Sequence, residues 1–198
     1  MDLDRALAFA AFAFAAAATP GPSNTLLAAV GAQVGLLRGI PCLLGVSVGM
    51  ASLLFTVGLG VTQTLLAQPS VLAAIRIAGA AFLLWLAWRI ATGPAGAASA
   101  PRATIGLVAA AALQWVNPKA WMVGAGAATT YLAANPPSAV AQAAALAGIF
   151  VTVALPAGMT WLAFGAVLQR FLRDERRGRL FNVAMGALLA VSVFAMLR

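Results

Sequence analysis

At 198 residues, 63% hydrophobic and only 8% charged, with a mean hydropathy of +0.99, the chain carries too little charge to cover a soluble domain of its size. It has no histidine and one cysteine, so a disulfide framework within the chain and a zinc or haem ligand set are both excluded, and Cys42 reads as a small packing residue. The net charge of +8 comes from basic residues at the ends of apolar runs and in short loops, without an aromatic-interleaved patch, which argues against nucleic acid and for membrane orientation.

The charge-free stretches 6–37, 39–75 and 120–169 each exceed the roughly 20 apolar residues of one bilayer crossing. The expected class is therefore an all-α integral membrane protein. Six transmembrane segments are predicted, at about 6–34, 41–66, 71–92, 104–133, 138–168 and 180–197. The first opens with MDLDRALAFAAFAFAAAATP, which superficially resembles a signal peptide. Asp2 and Asp4 outnumber Arg5, however, and the apolar run resumes after Pro22, so a permanent span is expected.

The connectors are GLLRGIP (35–41), AQPS (67–70), TGPAGAASAPR (92–102), ANPPS (134–138) and RFLRDERRGR (170–179). The third is the longest and divides the chain near its midpoint. This suggests a single domain over 1–198 made of two repeats, about 1–95 and 103–198. Arg38, Arg89, Arg102, Arg170, Arg173, Arg176, Arg177 and Arg179 fall on one side, and Arg5, Arg76 and Arg198 on the other. That imbalance predicts both termini outside the cytoplasm.

Each half begins with a proline-interrupted segment, TPGP at 19–22 and VNPK at 116–119, with Pro20 and Pro118 98 residues apart. Three spans per half is an odd number, so the second repeat enters from the opposite side, as inverted repeats do. In Thr19-Pro20 and Asn117-Pro118 a good N-cap precedes a proline suited to the first helical position. Both motifs predict a half-helix that restarts inside the membrane and presents free N–H groups, a favourable place for a carboxylate. The alternative is a plain proline kink, but two matching interruptions, each with amides beside it, favour a shared cavity.

Lys119 is the only ionisable side chain well inside a predicted span, at a cost of at least ~2.5 kcal/mol on insertion scales. The chain's four acids, Asp2, Asp4, Asp174 and Glu175, all lie outside the spans, so a substrate carboxylate is its natural partner. Snorkelling to an interface is the competing reading, and it is preferred for Arg76 and Arg89. Ser23, Asn24, Gln114 and Asn117 offer hydrogen bonds either to a substrate or to broken backbone, and the residues alone do not separate these uses. Trp115 and Trp121 flank the second motif and are expected at the cavity. GAQVG (31–35) and GVSVG (45–49) match a close-packing pattern that 19 glycines also produce by chance.

In TPGPSN, GLLRGIPCLLGVSVG, IRIAGAAFLLWLAWR and QWVNPKAW the chain resembles the LysE superfamily of amino-acid exporters, particularly its RhtB branch of homoserine and threonine effluxers. The resemblance covers most of the chain. It implies a small carrier in the bacterial inner (cytoplasmic) membrane, driven by the proton gradient or membrane potential. Its substrate site is expected at Pro20, Gly21, Pro22, Ser23, Asn24, Gln114, Asn117, Pro118 and Lys119. Family members often carry Asn or Asp directly after PGP, where this chain has Ser23 followed by Asn24.

The reading is a secondary transporter that exports a small zwitterionic amino acid or close derivative by alternating access. No catalytic triad, metal-ligand set or phosphate loop is present, so neither an enzyme nor a cofactor is expected. The alternatives are an exporter of another small solute or cation and, further off, a lipid-handling or purely structural membrane protein. Monomer and homodimer both stay open.

Overall fold

Chains in lipid must close their backbone hydrogen bonds internally, and this one does so through helices. The computed structural model of the chain describes residues 1–60, 68–93, 105–133, 137–168 and 174–197, and these form eight helices and no strand. In chain order they are α1 (Leu3–Ala18), α2 (Pro22–Val34), α3 (Leu36–Gly58), α4 (Pro69–Ala91), α5 (Leu107–Val116), α6 (Pro118–Tyr131), α7 (Ala139–Leu168) and α8 (Glu175–Leu197). Over the described residues each expected segment overlaps one helix or one broken pair; 61–66 of the second and 104 of the fourth lie outside them. Of these, α3 and α7 are long and apolar enough to cross a membrane, and α1 with α2 makes a third crossing if the pair is one span bent by 55°. Outward faces carry Leu7, Phe14, Val108, Met122 and Val191, as a lipid-facing surface requires.

Two boundaries differ from the sequence reading. The connector GLLRGIP shrinks to Gly35, whose φ of 81° lets α2 end and α3 begin at one residue. Pro41 then lies inside α3, in its second turn, near an end where Leu37 and Arg38 are exposed. Likewise α8 starts at Glu175, inside RFLRDERRGR. Asp174 precedes its first turn, accepting from the Arg176 N–H at 3.4 Å, and the following arginines are good helix formers on an exposed surface. Most of the connector 92–102, most of 134–138 and the start of 170–179 lie outside the described residues, as do Arg102, Arg170, Arg173 and Arg198.

Helices α3 and α7 form the centre, packed on each other, on α2 and on α5. Glycine sets how close they come. A Cβ on Gly31 of α2 would stand 2.1 Å from the Leu162 carbonyl oxygen, and one on Gly165 of α7 would stand 2.0 Å from that of Ala28. The α3 pair Gly45 and Gly49 meets the α5 carbonyls of Leu107 and Ala111 in the same way, at 2.2 and 2.4 Å. GVSVG is thus a true contact face, whereas GAQVG divides its glycines between a crossing and a turn. The core has two clusters, one around Leu27, Leu43, Leu113 and Leu162 and one around Phe9, Leu53, Leu146 and Phe150. Cys42 is buried in the first, as a packing residue should be.

Gly165→Val forces α2 and α7 apart and is expected to cost about 1–3 kcal/mol or more. Gly148→Ala meets nothing within 4 Å and should be neutral or stabilising by less than about 1 kcal/mol. Thermal unfolding of both variants in detergent measures the difference.

Candidate functional site

Thr19 closes α1 rather than opening α2. Its extended backbone caps α1, and both its N–H and its hydroxyl donate to the Ala15 carbonyl. Two successive X-Pro pairs hold Thr19 and Gly21 out of the helical region. The helix restarts with Gly21 as N-cap and Pro22 as first residue, two positions later than the sequence suggests, and Pro20 stays in the linker. A broken span exposes carbonyls, and here every one from Ala15 to Gly21 finds a donor. Thr19 Oγ also reaches the Ala16 oxygen at 3.1 Å, and Asn24 Nδ2 donates to Ala17 at 2.7 Å and Thr19 at 2.8 Å. Trp161 Nε1 on α7 donates to Ala18 at 3.2 Å, and Lys119 Nζ donates to Thr19 at 2.9 Å and Pro20 at 3.4 Å. The Thr25 N–H takes Gly21 at 2.9 Å.

The second interruption is one residue long. Asn117 is extended and caps α6, with Pro118 at the first position. Its Oδ1 accepts from the Lys119 N–H at 3.1 Å, and its carbonyl accepts from the Ala120 N–H at 2.9 Å. Trp121 Nε1 donates to the Trp115 carbonyl at 2.7 Å, while Trp115 Nε1 donates to Ser52 Oγ at 3.1 Å.

The two half-helix ends are therefore unequal, which corrects the expectation of two open electropositive ends. The N–H groups that open α6 are already taken. At the start of α2, the Ser23 and Asn24 N–H groups precede the first backbone bond, made by Thr25, and have no acceptor among the described residues.

Between the breaks the side chains converge. Ser23 Oγ lies 3.2 Å from Asn117 Nδ2 and 3.0 Å from Gln114 Nε2, and both amides donate to it; alternatively the hydroxyl donates to Gln114 Oε1 at 3.1 Å. Gln114, Asn117 and Asn24 are buried, and Lys119 is half-buried. With Gly21 they line a cavity where the two core clusters meet, its remaining wall formed by Leu27, Val46, Met50, Val123 and Phe150 with smaller residues. It holds about 60 Å³. A water molecule occupies roughly 10–15 Å³ of such space, so the cavity takes about four to six water-sized groups, the scale of a small amino acid. No acidic side chain lines it.

The LysE type translocator family matches residues 14–197. This chain belongs to the LysE family. It is 32% identical over 196 residues to the cysteine/O-acetylserine efflux protein of Salmonella typhimurium (strain LT2), covering 94% of this chain and 96% of that one. The protein of the same name from Escherichia coli (strain K12) is 28% identical over 191 residues, with the same coverage. No solved structure gives a significant match. As a LysE-family translocator the chain is a membrane transporter and not an enzyme, and it exports amino acids or close derivatives.

Six of the nine residues expected at the translocator's site line the cavity: Gly21, Ser23, Asn24, Gln114, Asn117 and Lys119. The three prolines shape the backbone, Pro22 and Pro118 opening the two helices and Pro20 lying in the exposed linker. Trp115 and Trp121 do not line it; their indoles hold the second break together. Trp161 was missed. Nothing in its sequence neighbourhood marks it, because it reaches the first break from a helix 143 positions away.

Gly21 is extended, with φ 175°, so its role is spatial: a Cβ there would stand 2.9 Å from Lys119 Cδ and 3.0 Å from Nζ. Those atoms are the free end of a flexible chain. Gly21→Ala is therefore expected to change thermal stability by less than about 1 kcal/mol while lowering efflux several-fold, because the ammonium is displaced. Parallel melting and efflux measurements check this.

Proposed function

We propose that this chain carries its substrate through the cavity by alternating access, in the bacterial inner membrane, with both termini outside the cytoplasm. The substrate carboxylate meets the open Ser23 and Asn24 N–H groups and the Lys119 ammonium, two of whose three hydrogens are directed at the Thr19 and Pro20 carbonyls. The observation that carries this reading is a small, mostly apolar cavity whose fixed charge is one lysine beside the uncapped start of α2, with no acid among the lining residues to neutralise it.

The fold in this reading is six spans in two inverted three-helix repeats, 1–95 and 103–198, within one domain. Part of the helix packing supports it on exchange of the repeats, although the contacts of α2 with α3 and of α4 with α5 have no comparable counterpart in the other repeat among the described residues. Packing of α2 on α7 matches that of α6 on α3, and packing of α3 on α5 matches that of α7 on α1. The α3–α7 and α4–α8 contacts map onto themselves. Orientation rests on the arginine imbalance among the loops.

Cysteine and O-acetylserine are the proposed substrates. The curated relatives are named for their efflux; the cavity approaches the scale of cysteine, and the larger O-acetylserine requires it to widen during the cycle. The proton gradient or membrane potential drives export. With no carboxylate in the wall, the titratable groups at the cavity are the Lys119 amine and those of the substrate itself.

Efflux of radiolabelled L-cysteine and O-acetyl-L-serine from cells tests the assignment. Lys119→Ala should lower it about tenfold or more, the scale of one lost charged hydrogen bond. Efflux equal to wild type would reject the site. Thermal melting is followed in parallel, because the same amine satisfies two carbonyls. In vesicles, an imposed pH gradient and an imposed potential applied separately identify the driving force, and export that ignores both would overturn secondary transport.

A further inference from the structure

We propose that Asn24 Oδ1 is the acceptor for the substrate's α-ammonium group, which makes Asn24 the residue that selects zwitterions over simple carboxylates. The inference rests on the cavity being the substrate site.

The orientation of the Asn24 amide is decided by its partners. Both hydrogens of Nδ2 are directed at carbonyl oxygens, Ala17 at 2.7 Å and Thr19 at 2.8 Å, and carbonyls accept only. Reversing the amide would set oxygen against oxygen at both. The NH₂ group is thus committed to the break, and Oδ1 is the end left over. The residue is 7% exposed, it lines the cavity, and its Oδ1 has no donor among the described residues. A buried acceptor without a partner is costly, and such groups in native proteins call for an explanation.

The cavity's other side-chain amides are engaged with the protein. Asn117 uses Nδ2 on Ser23 and Oδ1 on the Lys119 N–H, and Ser23, accepting from Asn117, has its one hydroxyl hydrogen for Gln114 Oε1 at 3.1 Å. Asn24 Oδ1 therefore remains as the open acceptor among them, and an ammonium is a strong donor suited to it.

Position supports the same assignment. Asn24 Nδ2 and Lys119 Nζ share the Thr19 oxygen, at 2.8 and 2.9 Å, so the amide and the lysine ammonium are close neighbours. An α-amino acid bears its carboxylate and ammonium on a single carbon, and a cation site beside a neutral acceptor matches that arrangement. A carboxylate at position 24 would pair with Lys119 and occupy the anion site. A neutral amide accepts the substrate's ammonium and leaves Lys119 available.

The test is counterflow of radiolabelled L-cysteine in proteoliposomes containing the full chain, competed by L-cysteine, by 3-mercaptopropionate (no ammonium) and by cysteamine (no carboxylate). In the wild type both analogues are expected to compete about tenfold or more weakly than cysteine. Equal competition by 3-mercaptopropionate overturns the proposal without any variant. In Asn24→Ala the penalty on 3-mercaptopropionate should fall to within about twofold while that on cysteamine persists; Lys119→Met should give the reverse. Should Asn24→Ala fail to assemble for want of a donor to Ala17 and Thr19, Asn24→Ser keeps a hydroxyl donor at the break while removing the amide oxygen, and is expected to show the same fall in the penalty on 3-mercaptopropionate; an unchanged penalty there counts against the proposal. An unchanged Asn24→Ala pattern beside a responsive Lys119→Met rejects the ammonium assignment alone. Two unchanged patterns reject the cavity as the substrate site.

Discussion

A carbonyl left bare in lipid has no water to turn to, and this structure is organised around that constraint at residues 15–21. Interrupting a membrane helix frees several carbonyls at once. Here the donors come from five residues: Thr19 itself, Asn24 and Thr25 at the start of the new helix, Trp161 on α7 and Lys119 at the head of α6. The break is a joint between elements distant in sequence. It exists only while α2, α6 and α7 are assembled around it.

That dependence explains the glycines. Donors reach the break because α7 lies against α2 at backbone contact, through Gly31 and Gly165. Lys119 reaches it because Gly21 leaves its arm free space. Close packing and polar satisfaction are thus one problem here, solved by small residues where helices cross and by long polar side chains where they part.

The two breaks share a plan and divide the work. At the second, Asn117 and Trp121 consume the freed groups locally, which leaves a rigid start for the helix carrying Lys119. At the first, backbone N–H groups remain open beside the cavity. In the proposed cycle the α2 end offers hydrogen bonds and the α6 end offers charge, and a carboxylate placed between them uses both. Asn24 joins the two functions, since its amide nitrogen stitches α1 to α2 and its oxygen faces no partner.

The sequence by itself determined the class, because apolar runs of this length with so little charge have no other use. It also marked both breaks, since proline punctuates a chain whatever surrounds it, and it singled out Lys119, since an ionisable group in an apolar run stands out by composition alone. Asn117 as a cap was legible from its neighbour Pro118. The restart at Gly21 was not, because TPGP offers two prolines and only the bonding of Thr19 back onto Ala15 chooses between them. Nor were the unequal helix ends, the contact between Trp161 and Ala18 or the free oxygen of Asn24. Local chemistry tells which groups need partners. Which partner arrives depends on helix crossings far apart in the chain, so only the tertiary structure decided how each was satisfied and which was left open.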